Sequence, residues 1–260
     1  MSDRVYAPLG YVAPMPVYPK SAPVPSRNAM KYDFRTMPIH DGRAIPGGAT
    51  LAKNGFTCAR HPMTPVDFDD GSRWQDRFLE EIMDYVRSMT GQSDVVANHA
   101  APRSTRFSDS DGTIDFVHND YTGGSIGVFI NELDPDRAGE RLAKRFAVYN
   151  IWRMVSPPPQ SRPIALCDPT SIAIADGVPS QTYYSGERYE ENFLLRYNPA
   201  HRWYYFPDMT PDEMLIWAGY DSDPTMPSIV PHGAFDDPNC TDPDAIRSNI
   251  DTRVYVFFDD

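Results

Sequence analysis

The chain has 260 residues, 41% of them hydrophobic and 23% charged, which suits one well-buried globular domain. A formal net charge of −12 without any Lys/Arg cluster argues against an electrostatic grip on nucleic acid or an anionic membrane surface. No apolar run approaches the roughly 20 residues of a bilayer span, no signal-peptide pattern is present, and Cys58, Cys167 and Cys240 form neither a disulfide framework nor a CxxC metal site, so a reducing cytoplasm is the expected compartment.

Proline is abundant, 26 residues, against an average of about 5%, which favours short strands and shaped turns over long helices. Residues 1–28 read as a Pro-rich arm with Tyr and Val between the prolines. The arm is expected either to be extended and poorly ordered or to lie on a second subunit of a homodimer. Residues 29–260 are expected to form a single domain. Within it, Thr50–Arg60 reads as a short hairpin or strand around Asn54-Gly55.

The spacing of Trp74, Phe78, Ile82, Tyr85, Val86 and Met89 predicts one amphipathic helix over Ser72–Met89. Ser72 and Gln75 are placed as a capping box and Gly91 as a C-terminal stop. A short exposed helix is expected in 134–144. Strands are expected at 113–118, 145–153, 162–167, 192–197, 201–206, 213–220, 228–235 and 250–258, separated by Pro-containing turns such as Asn198-Pro199 and Asp223-Pro224. Eight short strands at this spacing suggest a mainly β fold, a double-stranded β-helix of the jelly-roll or cupin-like type, with one or two flanking helices.

The chemistry centres on Phe116-Val117-His118-Asn119-Asp120-Tyr121. On an extended chain His118 and Asp120 share one face and Asn119 turns away. An imidazole beside a carboxylate is two thirds of the 2-His-1-carboxylate set that holds non-haem Fe(II) with positions left open. An HxD pair alone more often lies on a surface. Here it ends a predicted strand and precedes the loop Thr122-Gly123-Gly124, and His232 in Pro231-His232-Gly233 is the best candidate for the third ligand. His201 competes, although packing on the His201-Trp203-Tyr205 face is the expectation for it. His61 and His99 are expected in solvated loops, and His40 beside a turn.

An arginine fork binds a carboxylate through two parallel hydrogen bonds. Arg247, next to Ser248 at the mouth of the last strand, is favoured for that role toward a keto-acid cosubstrate, with Arg253 as its rival. A surface ion pair with nearby aspartates is the plainer reading of either. Tyr149, Asn150 and Arg153, with Trp203 and Tyr205, are candidates for lining a substrate pocket, or for simply filling a β-roll interior.

Several stretches taken in order are specific together: Asn54-Gly55-Phe56, His118-Asn119-Asp120, Tyr149-Asn150-Ile151-Trp152-Arg153, Pro163-Ile164-Ala165-Leu166-Cys167-Asp168, His201-Arg202-Trp203-Tyr204-Tyr205-Phe206, Pro231-His232-Gly233-Ala234-Phe235 and Arg247-Ser248-Asn249-Ile250-Asp251-Thr252-Arg253. From about residue 50 to its end the chain resembles the CmcJ/AsaB-like hydroxylase/desaturase family. The resemblance implies a double-stranded β-helix and oxidation of a small molecule in specialised metabolism, with Fe(II) as metal and 2-oxoglutarate and O2 as cosubstrates. It also implies His118, Asp120 and His232 as iron ligands. A metal-dependent dioxygenase or isomerase that needs no 2-oxoglutarate, or an inactive small-molecule-binding jelly roll, are the alternative expectations.

Overall fold

A computed structural model of the chain describes residues 3–14, 30–62, 64–70, 72–105, 114–183 and 189–259. The strands are β1 (Arg4–Val12), β2 (Tyr32–Asp41), β3 (Phe56–Arg60), β4 (Val95–Ser104), β5 (His118–Asn119), β6 (Phe146–Met154), β7 (Ile164–Cys167), β8 (Gly177–Tyr183), β9 (Tyr189–Leu195), β10 (Trp203–Tyr205), β11 (Glu213–Asp221), β12 (His232–Ala234) and β13 (Ser248–Phe257). The α-helices among the described residues are α1 (Leu51–Asn54), α2 (Arg73–Thr90), α3 (Ile126–Leu133) and α4 (Ala138–Leu142).

The strands make two facing sheets. One runs β1-β2-β10-β7-β12-β5-β9-β8 and the other β3-β11-β6-β13-β4. This is the expected jelly-roll architecture. The larger sheet curls toward closure: Gly10 of β1 bridges Phe116, Val12 bridges Arg196, and Val117 N–H donates to Gly10 O at 2.8 Å. A Cβ at Gly10 would meet Asp115 O at 2.8 Å, so only glycine allows the crossing.

All nine residues of β6 are buried because the strand lies between β11 and β13 with both faces covered. On one side α2 seals it. Trp74, Phe78, Ile82 and Val86 recur at three- and four-residue steps and join Tyr149, Ile151, Val254 and Val256 in one core. Burying such side chains contributes about 1.5–3 kcal/mol each, so packing rather than intrinsic propensity holds the helix. A second core lies on the other face of the larger sheet, where Leu9, Tyr11, Ile39, Val117, Cys167, Trp203 and Phe235 meet.

The structure corrects several expectations. Arg4–Val12 is no free arm but a strand paired along its length with β2, with Val5, Tyr11 and Val12 buried in the chain's own fold and Tyr6 exposed. Pro8 hid this strand, and β1 tolerates it at the end of its sheet. The arm's residues 15–28 lie outside the described residues, as does residue 113 of the first expected strand. Asn54-Gly55 closes no hairpin: Thr50 caps the single turn α1, and Gly55, at φ 73°, ends it before β3. The Ser72 side chain makes no capping bond, whereas Gly91 ends α2 in the left-handed region as expected. The helix within 134–144 is α4, and its Arg141 is buried against Asp94 and Asp134 rather than exposed.

Candidate metal centre

β5 and β12 are adjacent strands, and His118 and His232 are direct cross-strand partners. Such partners project from the same face, and the two imidazole centroids are 4.5 Å apart. Asp120 lies just past β5. Its Oδ1 is 3.8 Å from His118 Nε2 and its Oδ2 is 4.0 Å from His232 Nε2. The three potential donor atoms all fall within 4.8 Å of one another. Asn119 turns the other way, as alternation requires, and its amide donates to Tyr121 O and Gly219 O at 2.9 and 3.0 Å.

Both imidazoles are held in one tautomer. His118 Nδ1 donates to Phe116 O and His232 Nδ1 to Val230 O, each at 3.1 Å. A carbonyl only accepts, so Nδ1 carries the proton and the Nε2 lone pair faces Asp120. Burial pushes the His232 imidazole down and favours the neutral, ligating form. For Asp120, burial alone would raise the carboxyl. The charge of the Arg253 guanidinium and its hydrogen bond outweigh it and hold the group well below the usual carboxylate range.

The facing sheet orients this carboxylate. Asn150 Nδ2 donates to Asp120 Oδ2 at 2.8 Å, and Arg253 Nη2 donates to Oδ1 at 3.0 Å. Asn150 is the register partner of both Arg253 in β13 and Trp217 in β11. Trp217, Asn150 and Arg253 therefore form one row across three strands, facing the cluster. The Trp217 ring lies 4.8 Å from that of His232 and is 4% exposed. Its indole Nε1, like Asn150 Oδ1, is buried with no hydrogen-bond partner among the described residues.

Further along β13, Asp251 shares the face of Arg253 by alternation and accepts from Asn249 Nδ2 at 2.7 Å and Arg103 Nε at 3.3 Å. Burial raises the Asp251 carboxyl. Arg247 is buried, with its guanidinium carbon 5.6 Å from the centre of the Trp152 ring. Desolvation pulls the Arg247 guanidinium down to about 10. Trp152 is two residues beyond Asn150 on the same face of β6, a step of about 6.6 Å. Arg247 thus packs against the strand face that, at Asn150, meets Asp120.

The structure separates the remaining sequence candidates. Ser248 faces away from Arg247, its hydroxyl 2.9 Å from Ser104 Oγ. Tyr149 and Arg153 leave β6 on the face opposite Asn150: Tyr149 sits in the core under α2, and Arg153 donates to His61 O at 2.6 Å near Glu81 of α2. Trp203 pairs with Cys167, while Leu166 pairs with His232, so Trp203 and Tyr205 occupy the second core behind the sheet. There Trp203 Nε1 donates to Tyr11 Oη at 2.8 Å. His201 packs as expected, buried between Tyr11 and Asp176.

Two residues near the cluster escaped the sequence reading. His99 is no solvated loop residue: it sits in β4 at a bulge where the register to β13 shifts between Thr252 and Val254, opposite Arg253. Desolvation, then Arg253 and Arg103, push its imidazole down to about 4. The other is Trp217. The signal for it was its place in the apolar run Met214-Leu215-Ile216-Trp217-Ala218, but such a run hides which face each residue takes.

Comparison with known proteins bears on the family and the fold. The model of the oxidoreductase/YMDC permease-like domain matches residues 9–257. A protein named alpha-ketoglutarate-dependent dioxygenase phiK, from a fungal species, is 25% identical over 248 residues, covering 87% of this chain and 85% of the relative. The hydroxylase/desaturase efuI of Hormonema carpetanum is 28% identical over 258 residues, covering 89% and 86%. A solved structure of the iron and alpha-ketoglutarate-dependent endoperoxidase NvfI superposes with a TM-score of 0.88 at 23% identity, covering 99% of both chains. That last likeness bears on the fold alone. No helix among the described residues is long and apolar enough to cross a membrane.

Proposed function

The chain belongs to the oxidoreductase/YMDC permease-like family, and from its similarity to the dioxygenase phiK and the hydroxylase/desaturase efuI we infer that it is a non-haem Fe(II)/2-oxoglutarate-dependent dioxygenase acting on a small molecule. In this reading His118, Asp120 and His232 hold the iron. The observation that carries it is the convergence of two Nε2 lone pairs and one ionised carboxylate within 4.8 Å. Two neutral imidazoles and one carboxylate suit a divalent iron and leave part of its coordination sphere for other ligands. Bound iron, with 2-oxoglutarate and O2, supplies the oxidising chemistry.

The chain's own residues bind, orient and exclude water. Asn150 and Arg253 fix the Asp120 carboxylate before any metal arrives. Arg247 is our choice for the distal carboxylate of 2-oxoglutarate. It is buried, where an anion most stabilises it, and it packs on Trp152, which shares the face of β6 with Asn150. Arg253 is already engaged by Asp120. The reaction we propose is hydroxylation, desaturation or oxidative cyclisation in specialised metabolism. Free Cys58, Cys167 and Cys240 fit a reducing cytoplasm.

The test is oxygen-dependent conversion of 2-oxoglutarate to succinate by the Fe(II)-loaded protein, with a panel of apolar natural products as substrates. Succinate should require both iron and Asp120. Product formation that proceeds without 2-oxoglutarate would replace this reading with that of a cosubstrate-independent metalloenzyme.

A further inference from the structure

Within the row Trp217–Asn150–Arg253, two members are committed to Asp120 and the third is not. Trp217 is 4% exposed, its ring lies against His232, and its Nε1–H has no partner among the described residues. Buried donors are nearly always satisfied, and an unsatisfied one asks for an explanation. Asn150 cannot supply it, because its Oδ1 is likewise without a partner, so the two groups do not meet. Nor is Asp120 short of donors. The indole is a donor only, so its missing partner is an acceptor that reaches it beside His232.

The proposed function supplies such an acceptor. A diacid reaching from the cluster to Arg247 runs along the floor of β6 from Asn150 to Trp152, and β11, which carries Trp217, borders that floor on one side. A carboxylate has only acceptor oxygens and matches a donor-only indole. We propose that Trp217 is a cosubstrate-binding residue whose Nε1–H donates to a carboxylate oxygen at the metal-proximal end of bound 2-oxoglutarate. The proposal rests on the oxygenase reading given above and adds to it a residue that steers how the keto acid seats.

The experiment compares three proteins: the native chain, Trp217→Phe, and a chain with benzothienylalanine at 217, which keeps the bicyclic shape but carries sulfur in place of N–H. Each is titrated anaerobically, first with Fe(II) alone and then, iron-loaded, with 2-oxoglutarate while the visible charge-transfer absorption of the chelate is followed. Iron affinity is expected to stay within about twofold in all three. The dissociation constant for 2-oxoglutarate is expected to rise about 10–100-fold in both altered proteins, the loss of one hydrogen bond to a charged acceptor, with a shift of the absorption maximum.

Native affinity for 2-oxoglutarate in the sulfur isostere overturns the proposal and leaves Trp217 a packing residue or a contact to the organic substrate. Parallel loss of iron and cosubstrate in Trp217→Phe, both restored by the isostere, overturns it as well. A native protein that binds iron but shows no charge-transfer absorption refutes the oxygenase reading itself, and with it this inference.

Discussion

Arg253 Nη2 donates to Asp120 Oδ1 at 3.0 Å while Asn150 holds the other oxygen of the same carboxylate at 2.8 Å. The carboxylate is therefore ionised and aimed at His118 and His232 by side chains from the opposite sheet. Loss of the guanidinium removes the strongest force keeping it so. Arg253→Met should lower iron affinity about 10–100-fold, the usual effect of losing a group that orients a ligand. Metal titration followed by calorimetry measures it, and unchanged affinity would show that Arg253 does not prepare the site.

Arg247→Met should give the complementary result. Iron binding stays near native, while affinity of the iron-loaded protein for 2-oxoglutarate falls about 10–100-fold or more, because charge-assisted bonds to one carboxylate are lost. Arg247→Lys should recover only part, since an ammonium cannot form the two-bond fork. Anaerobic titration separates the arginines: a cosubstrate defect confined to Arg253→Met would exchange their roles.

Arg153 is placed to hold α2 rather than a substrate. It is fully buried, donates to His61 O at 2.6 Å and lies 3.6 Å from Glu81. Removing one member of a buried charged pair typically costs about 3–5 kcal/mol. Arg153→Ala should therefore lower the urea midpoint strongly and leave the iron and 2-oxoglutarate titrations of the folded protein unchanged. A binding defect without loss of stability would return Arg153 to the pocket.

His99 makes the fold sensitive to acid. Its folded value of about 4 lies below the roughly 6.5 of an unfolded imidazole. As pH falls through the window between these values, the unfolded chain takes up a proton that the folded one refuses. Stability is therefore lost on acidification across that window and is fully present above it. His99→Gln should flatten the dependence of unfolding free energy on pH between those limits. An unaltered slope would assign the acid sensitivity to other groups.

What could be read from the sequence was what repeats with a period. The α2 stripe, the HxD pair and the apolar strands β6, β11 and β13 each carry a pattern that alternation or helical spacing exposes. Direction was lost where a strand is buried on both faces. In β6, Asn150 looks toward Asp120 while Tyr149 and Arg153 look toward α2, and nothing in a run of nine buried positions marks the difference. The same continuity in β11 concealed Trp217, and proline concealed β1. His99 was out of reach for another reason: a bulge, invisible to a regular period, brings it opposite Arg253.

The most direct measurement of the central claim is the location of iron in anaerobically loaded crystals by anomalous scattering at the iron edge. One strong peak is predicted between His118 Nε2, His232 Nε2 and the Asp120 carboxylate, and no such peak in His232→Ala. Iron at any other position, or full occupancy in the absence of His232, would contradict the account.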